Sequence, residues 1–375
     1  MKDIKRCMRC ILPESLPSVK LDRNGICNHC KTYDRLFSNW EDGKSQRKKE
    51  FGDLLQRAKR LNRNYDCLIL LSGGKDSTYA LYLCDKIYKL KCLCITFDNG
   101  FLTEQAKNNI KNALKATNAD HIFYSINRNL MLKLYKLFLI ECGNFCPVCM
   151  RGIELVQKIA EYYRIPIVIS GTGKRVEYLS SFPELFQGGN LDFFKNVVKG
   201  KPIVKNVSQM FLKPYSWNIQ RIIRISFNLL GINLIKHPSI SLYDYIDADF
   251  DIIYNTLKRK MGWEKPEGKF EHMDCMLSDI AYYAHTLKFP EVTTTTFKHC
   301  RSIRLGLMTR EEAINLEKNK LINPQIPQEL NLFLSEIGMS KDEFESSARD
   351  WRKMDKFRNK KKDAFESLYH RIVRF

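Results

Sequence analysis

Residues 72–77 read Ser-Gly-Gly-Lys-Asp-Ser. The apolar run Tyr65–Leu71 precedes them, as expected of a buried parallel strand, and the helix-forming run Thr78–Leu83 follows. A strand, a glycine turn and a helix start make a phosphate cradle. Backbone N–H groups point outward, the helix N-terminus adds positive potential, and Gly73 and Gly74 leave room for phosphates to approach. The spacing is not that of the Walker loop. Lys75 can neutralise charge on phosphate oxygens, and the Ser72 and Ser77 hydroxyls can donate to them. Asp76 can position Mg²⁺ or cap the helix.

Two further loops fall where a doubly wound sheet places ligand groups. Asp98-Asn99-Gly100 follows the second expected strand; its carboxylate could meet a ribose, a metal or a nucleophile, or simply close a turn. Ser170-Gly171-Thr172-Gly173-Lys174-Arg175 follows the fourth, offering small residues and two cations, with Glu177 close behind as a possible metal contact.

Metal chemistry is the second theme. Cys7-x-x-Cys10 and Cys27-x-x-Cys30 carry the pairwise spacing of a closed tetrathiolate zinc site, which would substitute for a core in so short a segment. Cys146-Pro-Val-Cys149 opens a helix near the expected nucleotide edge. It admits several readings: an iron–sulfur cluster with a third cysteine such as Cys275 or Cys300, zinc, a redox dithiol, a persulfide carrier, or two packed thiols. Cys67, Cys84, Cys92 and Cys94 lie in apolar runs and read as core.

These groups need a scaffold. Strands are expected at 66–71, 92–97, 121–125 and 165–170, with helices near 76–89, 103–117, 129–142 and 150–163. That alternation implies an α/β fold, a doubly wound parallel sheet. The division expected is a zinc knuckle over 1–36, a helical connector over 37–64, an ATP-binding domain over 65–200, and a mainly helical C-terminal substrate region with a basic tail over 201–375. Within the last, Ile219, Ile222, Ile223, Leu229 and Leu230 with Arg221 and Arg224 form an amphipathic stripe at 216–235, suited to a buried helix face, a lid or a peripheral membrane contact. Thr309–Glu312 reads as a capping box, and the tail carries Lys360, Lys361, Lys362, Tyr369, His370 and Arg371.

The net charge of +20 favours polyanionic partners without naming one. Met1–Cys7 lacks the apolar core of a secretory signal, and no uncharged apolar run reaches membrane-spanning length, so the cytoplasm is the expected compartment. Thirteen cysteines in that setting favour metal or thiol chemistry over a disulfide scaffold.

The 72–77 loop resembles the PP-loop of the ATP pyrophosphatases, a HUP-like fold whose members adenylate an oxygen and release pyrophosphate. With the tetracysteine knuckle and Asp98, the chain looks like an N-acetyl sugar amidotransferase. Ser241–Asp247, Met261-Gly-Trp-Glu264 and Gly306–Ala313 strengthen the resemblance, which covers most of residues 1–320. The loop after the fourth strand departs from it, reading Gly171-Thr172-Gly173 where that family often has Gly-Glu-Asn. The resemblance implies ATP bound by Ser72, Gly73, Gly74, Lys75, Asp76, Ser77, Gly171 and Thr172, with Lys75, Asp76 and Asp98 catalytic. It implies Mg²⁺ and Zn²⁺ as metals. ATP would adenylate the acetamido oxygen of a nucleotide-linked or free sugar in a surface-polysaccharide pathway, and ammonia would displace AMP. Position 2 is lysine, so no N-terminal cysteine nucleophile stands there and a separate glutaminase subunit is expected. The chain also resembles certain tRNA thiolation enzymes, which pair an N-terminal zinc knuckle, a PP-loop and a later Cys-x-x-Cys that helps bind an iron–sulfur cluster; that resemblance implies a cluster at Cys146/Cys149, with the adenylated oxygen on a nucleobase and sulfur replacing it. A non-catalytic zinc-bearing nucleotide-binding module is the third reading.

Overall fold

The computed structural model describes residues 5–179, 191–203, 239–265, 274–322 and 326–357. The 216–235 stripe and the basic cluster at 360–371 lie outside them. Five strands form one parallel sheet: β1 Cys67–Leu70, β2 Cys92–Asp98, β3 Asp120–Ser125, β4 Ile167–Ser170 and β5 Ser239–Ser241, in the order β3-β2-β1-β4-β5. The first four match the expected strands to within two residues at each end.

The sheet is covered on both faces. Before it come α1 (Asn28–Phe37) and α2 (Lys44–Arg60); between the strands run α3 (Lys75–Tyr82), α4 (Glu104–Ala116), α5 (Arg128–Cys142), the single turn α6 (Cys146–Cys149) and α7 (Arg151–Tyr162). Alternation along β1 sorts the layers. Cys67 and Ile69 point to a core shared with Phe51 and Leu55 of α2, Ala80 and Leu81 of α3 and Ile110 of α4. Leu68 points to the opposite core with Leu93, Ile95 and Val156 and Ala160 of α7. The expected helix at 76–89 is α only to Tyr82 and continues as a π turn, Leu83–Ile87.

The rest is helical: α8 (Leu191–Val198), α9 (Phe250–Met261), α10 (Leu277–Lys288), α11 (Thr296–Arg304), α12 (Arg310–Ile322), α13 (Leu330–Ile337) and α14 (Lys341–Arg349). The third core wraps α5. Leu130, Leu134, Tyr135, Phe138 and Leu139 recur at helical spacing and pack against α8, α10, α13 and α14. Asn127 caps α5, its Oδ1 accepting from the Leu130 N–H at 3.1 Å. Gly143 ends α5 at φ +60°; a Cβ there would lie 2.7 Å from the Ser347 carbonyl oxygen. Thr309 starts α12 with reciprocal bonds to Glu312, the expected capping box.

Two features cross the boundary drawn at residue 200. β5 comes from beyond it, and the α5 core joins residues 101–148 to 277–354. β5 has three residues, two of them serine, too short and too polar to register as a strand in the sequence.

Candidate functional site

The sheet order reverses at β1 and β4, and the groups of interest gather beyond their C-terminal ends. The turn after β1 begins α3 at Gly74, which offers no side-chain cap, so the first-turn N–H groups remain open to an anion. Ser72 and Ser77 brace the turn: the Ser72 N–H donates to Ser77 Oγ at 3.1 Å, and the two hydroxyls lie 3.2 Å apart.

The two glycines have different tasks from those read in the sequence. Gly73 sits at φ +82°, and a Cβ there would come within 2.4 Å of the Ala106 carbonyl oxygen, so it lets α4 close on the turn. A Cβ on Gly74 would face Ser72 Oγ at 3.3 Å and Asp274 Oδ2 at 3.6 Å. An acid missed by sequence reasoning therefore stands beside the cradle.

Trp263 and Asn109 hold the turn from behind. Trp263 Nε1 donates to the Gly73 carbonyl at 2.9 Å; Asn109 Nδ2 donates to the same oxygen at 3.4 Å and to the Glu264 carbonyl at 2.9 Å. The Met261–Glu264 segment is thus a structural part of the cradle. Lys75, its side chain only 13% exposed, pairs with Asp76 Oδ2 at 2.7 Å, and its ammonium lies 4.8 Å from the Phe250 ring centre. Tyr243 donates to Asp76 Oδ1 at 2.6 Å, and burial with the Asp76 charge pushes the phenol pKa well up. Asp76 is fixed from both sides.

The loop after β4 packs onto this helix start. A Cβ on Gly171 would lie 2.4 Å from the Asp76 carbonyl carbon, and one on Gly173 would lie 2.5 Å from Tyr243 Cβ. The Thr172 hydroxyl is 2.6 Å from Ser170 Oγ and donates to Ser241 Oγ at 3.0 Å, stitching β4 to β5. Glu177 is exposed by surface area, with its carboxyl turned toward neighbouring protein charges. Loss of hydration pushes its carboxyl up to about 7; Arg301 and Lys75 oppose the rise, while Asp76 and Asp244 add to it.

Asp98 closes its own turn, accepting from the Gly100 N–H at 2.8 Å, and lines a cavity of about 360 Å³ with Asn99, Ser125 and Arg128. Its neighbour Asn99 turns toward sulfur: Nδ2 donates to Cys275 Sγ at 3.0 Å and to Cys149 Sγ at 3.7 Å. The Tyr135 hydroxyl lies 3.2 Å from Cys149 Sγ. Cys275, not Cys300, joins the Cys146/Cys149 pair.

Cys300 belongs to the knuckle. The sulfurs of Cys7, Cys10, Cys27 and Cys30 lie within 4.8 Å of one another and are fully buried. The Cys10 and Cys27 N–H groups donate to Cys7 Sγ at 3.4 and 3.2 Å, and the Cys30 N–H to Cys27 Sγ at 3.4 Å. This is a cluster able to bind a metal ion. Phe289, Phe297 and Cys300 pack against it. Arg310 Nε donates to the Cys7 and Cys10 carbonyls at 3.1 and 3.2 Å. From the knuckle, Tyr33 reaches the loop after β4: Arg175 Nε donates to its hydroxyl at 3.2 Å, and its ring meets Tyr178 at 5.5 Å. No helix among the described residues is long and apolar enough to cross a membrane.

Residues 267–369 match the family model described as LPS biosynthesis protein WbpG-like, C-terminal domain. The match takes in Gly306–Ala313, one of the segments that carries the sugar-family resemblance. An uncharacterized protein of Methanocaldococcus jannaschii is 22% identical over 332 residues, covering 87% of this chain and 96% of that protein. Among solved structures, the U34-tRNA thiolase NcsA from Methanococcus maripaludis, with its 4Fe–4S cluster, is similar at 13% identity, 86% and 90% coverage of the two chains, and a TM-score of 0.35. The NH3-dependent NAD synthetase of Campylobacter jejuni is similar at 15% identity, 60% and 99% coverage, and a TM-score of 0.30.

Proposed function

We propose that the chain is an ATP-dependent amidotransferase acting on an N-acetyl sugar in lipopolysaccharide or related surface-polysaccharide synthesis. The observation that carries this reading is the cradle itself: an uncapped helix start behind β1, with Lys75 beside it, locked in place by Trp263 from one of the sugar-family segments. The family match over 267–369 supports the pathway.

In this reading the acetamido oxygen attacks the α-phosphorus of ATP. The Pα–O–Pβ bond breaks and pyrophosphate leaves. Ammonia then attacks the activated carbon, the C–O bond to AMP breaks, and the acetamidino sugar remains. AMP departs with the oxygen that began on the sugar.

The first-turn N–H groups of α3 and the Lys75 ammonium stabilise the phosphates as charge develops. Mg²⁺ suits the carboxylates of Asp76 and Asp274 beside the cradle, where it would neutralise charge on the phosphate oxygens. Glu177, with its proton affinity near neutrality, accepts the proton that the incoming nitrogen must lose. Asp98 borders the cavity at the β2–β3 end and helps seat the nucleotide or acceptor. Zn²⁺ suits the four knuckle thiolates, where it would hold α1 and with it the loop carrying Glu177. Ammonia comes from a separate glutaminase.

One observation favours a second reading, sulfur as the incoming atom and a tRNA nucleobase as acceptor: Cys275 converges on Cys149 through Asn99. ATP–pyrophosphate exchange measured against N-acetyl sugar nucleotides and against tRNA separates the two. Exchange stimulated by the sugars supports amidotransfer; exchange stimulated by tRNA alone replaces it with the second reading.

A further inference from the structure

The phosphate cradle occupies one edge of the sheet. The opposite edge, where β1 to β4 begin, takes no part in the reaction. Because the strands are parallel, all four starts lie on this edge, and the helical segments that lead into them end there: α2, the π turn after α3, α4 and α7. The connecting loops lock together. The Lys91 N–H donates to Asp66 Oδ2 and Lys91 Nζ to the Arg63 carbonyl, each at 2.8 Å, joining the loops before β1 and β2. The Tyr65 hydroxyl donates to Asp120 Oδ2 at the start of β3 at 2.7 Å. The Tyr65 ring meets that of Tyr163, before β4, with centres 6.0 Å apart. The edge is therefore one continuous platform, not four separate tips.

Its surface is apolar and cationic at once. Leu61, just past α2, and Ile87, ending the π turn, are 50% and 54% exposed, and Tyr162 at the end of α7 is 81% exposed. Arg60, Arg63, Lys89, Lys91 and Arg164 stand exposed around them. Two of the acids at this edge, Asp66 and Asp85, are buried, while Asp120 and Glu161 remain exposed, so the exposed cations outnumber the exposed acids.

Cations near helix C-termini offset the macrodipole and by themselves imply no partner. The aliphatic tips gain nothing from that dipole. Lys89 and Arg164 sit at φ +55° and +52°, where glycine or asparagine is less strained, so the turn geometry does not itself call for a cation. Aliphatic tips, tyrosines and cations on one platform complement an anionic lipid leaflet. The tips enter the acyl boundary, the tyrosines lie at headgroup depth, and the cations meet the lipid phosphates. Nucleic acid matches the charge but not Leu61 and Ile87, which offer no ring to stack on a base.

We propose that the edge of the sheet formed by the strand starts docks the protein on an anionic membrane surface. Docking there leaves the cradle on the far edge, facing solution and open to soluble ATP. The platform is separate from the 216–235 stripe, and the assignment does not depend on whether nitrogen or sulfur enters the product.

The test is co-sedimentation of the full chain with vesicles of mixed phosphatidylglycerol and phosphatidylcholine, compared with vesicles of phosphatidylcholine alone. At about 0.1 M salt the wild type should bind the anionic vesicles at least about tenfold more tightly, and added salt should shrink the difference. Each cation near an anionic leaflet is worth roughly fivefold in affinity, so Arg63→Gln/Lys89→Gln/Arg164→Gln should weaken binding at least about tenfold. Leu61→Ser/Ile87→Ser should weaken it about fivefold and leave its salt dependence intact. Both variants should keep the wild-type melt and the wild-type ATP–pyrophosphate exchange, since neither touches the cradle. The aliphatic double variant decides the matter if the triple variant fails to fold. A wild type that ignores anionic vesicles, or binding that survives both variants unchanged, overturns the assignment. So does a platform that takes up tRNA in place of vesicles, with uptake lost in the triple variant and kept in the aliphatic one.

Discussion

The two cysteine groups use one residue type under opposite conditions. The knuckle is sealed: four buried sulfurs, backbone N–H donors, and carbonyls gripped by Arg310 from α12. The Cys146, Cys149 and Cys275 trio is less closed: three partly accessible residues, with Asn99 and Tyr135 reaching two of the sulfurs, and a place beside a phosphate cradle. A closed tetrathiolate site supplies folding energy to a segment too small for its own core. Accessibility therefore separates the two groups where the Cys-x-x-Cys spacing alone does not.

The contrast is sharpest under mutation. Cys27→Ser should unseat α1, Tyr33 and the loop after β4 together, lowering the melting temperature by roughly 10 °C or more and abolishing activity, since structural zinc binding is folding free energy. Thermal melts with zinc analysis check this; an unchanged melt would make the knuckle dispensable. Lys75→Ala should leave the melt alone and reduce ATP–pyrophosphate exchange by about 10²–10³-fold, the usual cost of one preorganised charge partner. Cys275→Ser should likewise leave the melt within about 2 °C and the zinc content unchanged, the reverse of the Cys27→Ser pattern.

Smaller effects probe how the site is held. The Glu177 carboxyl is pushed up to about 7 by loss of hydration, so it is protonated on the acid side and ionised on the alkaline side of neutrality. If it accepts a proton from the incoming nitrogen, kcat/KM should rise through about pH 7, and Glu177→Gln should remove that limb. A limb that persists in the variant belongs to another group. Trp263→Phe removes one hydrogen bond to the Gly73 carbonyl, worth about 1 kcal/mol, and should raise the KM for ATP about fivefold.

Much of the scaffold was legible from the chain. Strands β1 to β4 announced themselves as short apolar runs, and the Ser72–Ser77 turn did so through its glycines and flanks. The parallel sheet, with four of its five strands, the four-cysteine cluster and the helical C-terminal region were expected and are present. Other parts needed three dimensions. β5 gains its strand geometry from pairing with β4, not from its own residues. Thr172, expected among the ATP contacts, donates its hydroxyl to β5, and Gly73 serves helix packing. Asp274 and Asn99 carry no local signature; one is recognisable only by its place beside Gly74, the other by its turn toward two sulfurs. Tyr243 and Trp263 lay within segments already singled out for their resemblance, but their partners, Asp76 and Gly73, could not be read from spacing.

The central claim is that ATP activates an oxygen of the acceptor. An N-acetyl sugar nucleotide labelled with oxygen-18 in the acetamido carbonyl, turned over with ATP and ammonia, tests it directly by mass spectrometry of the products. Label recovered in AMP, one atom per turnover, is the predicted result. Label retained in the sugar or found in inorganic phosphate would contradict the account.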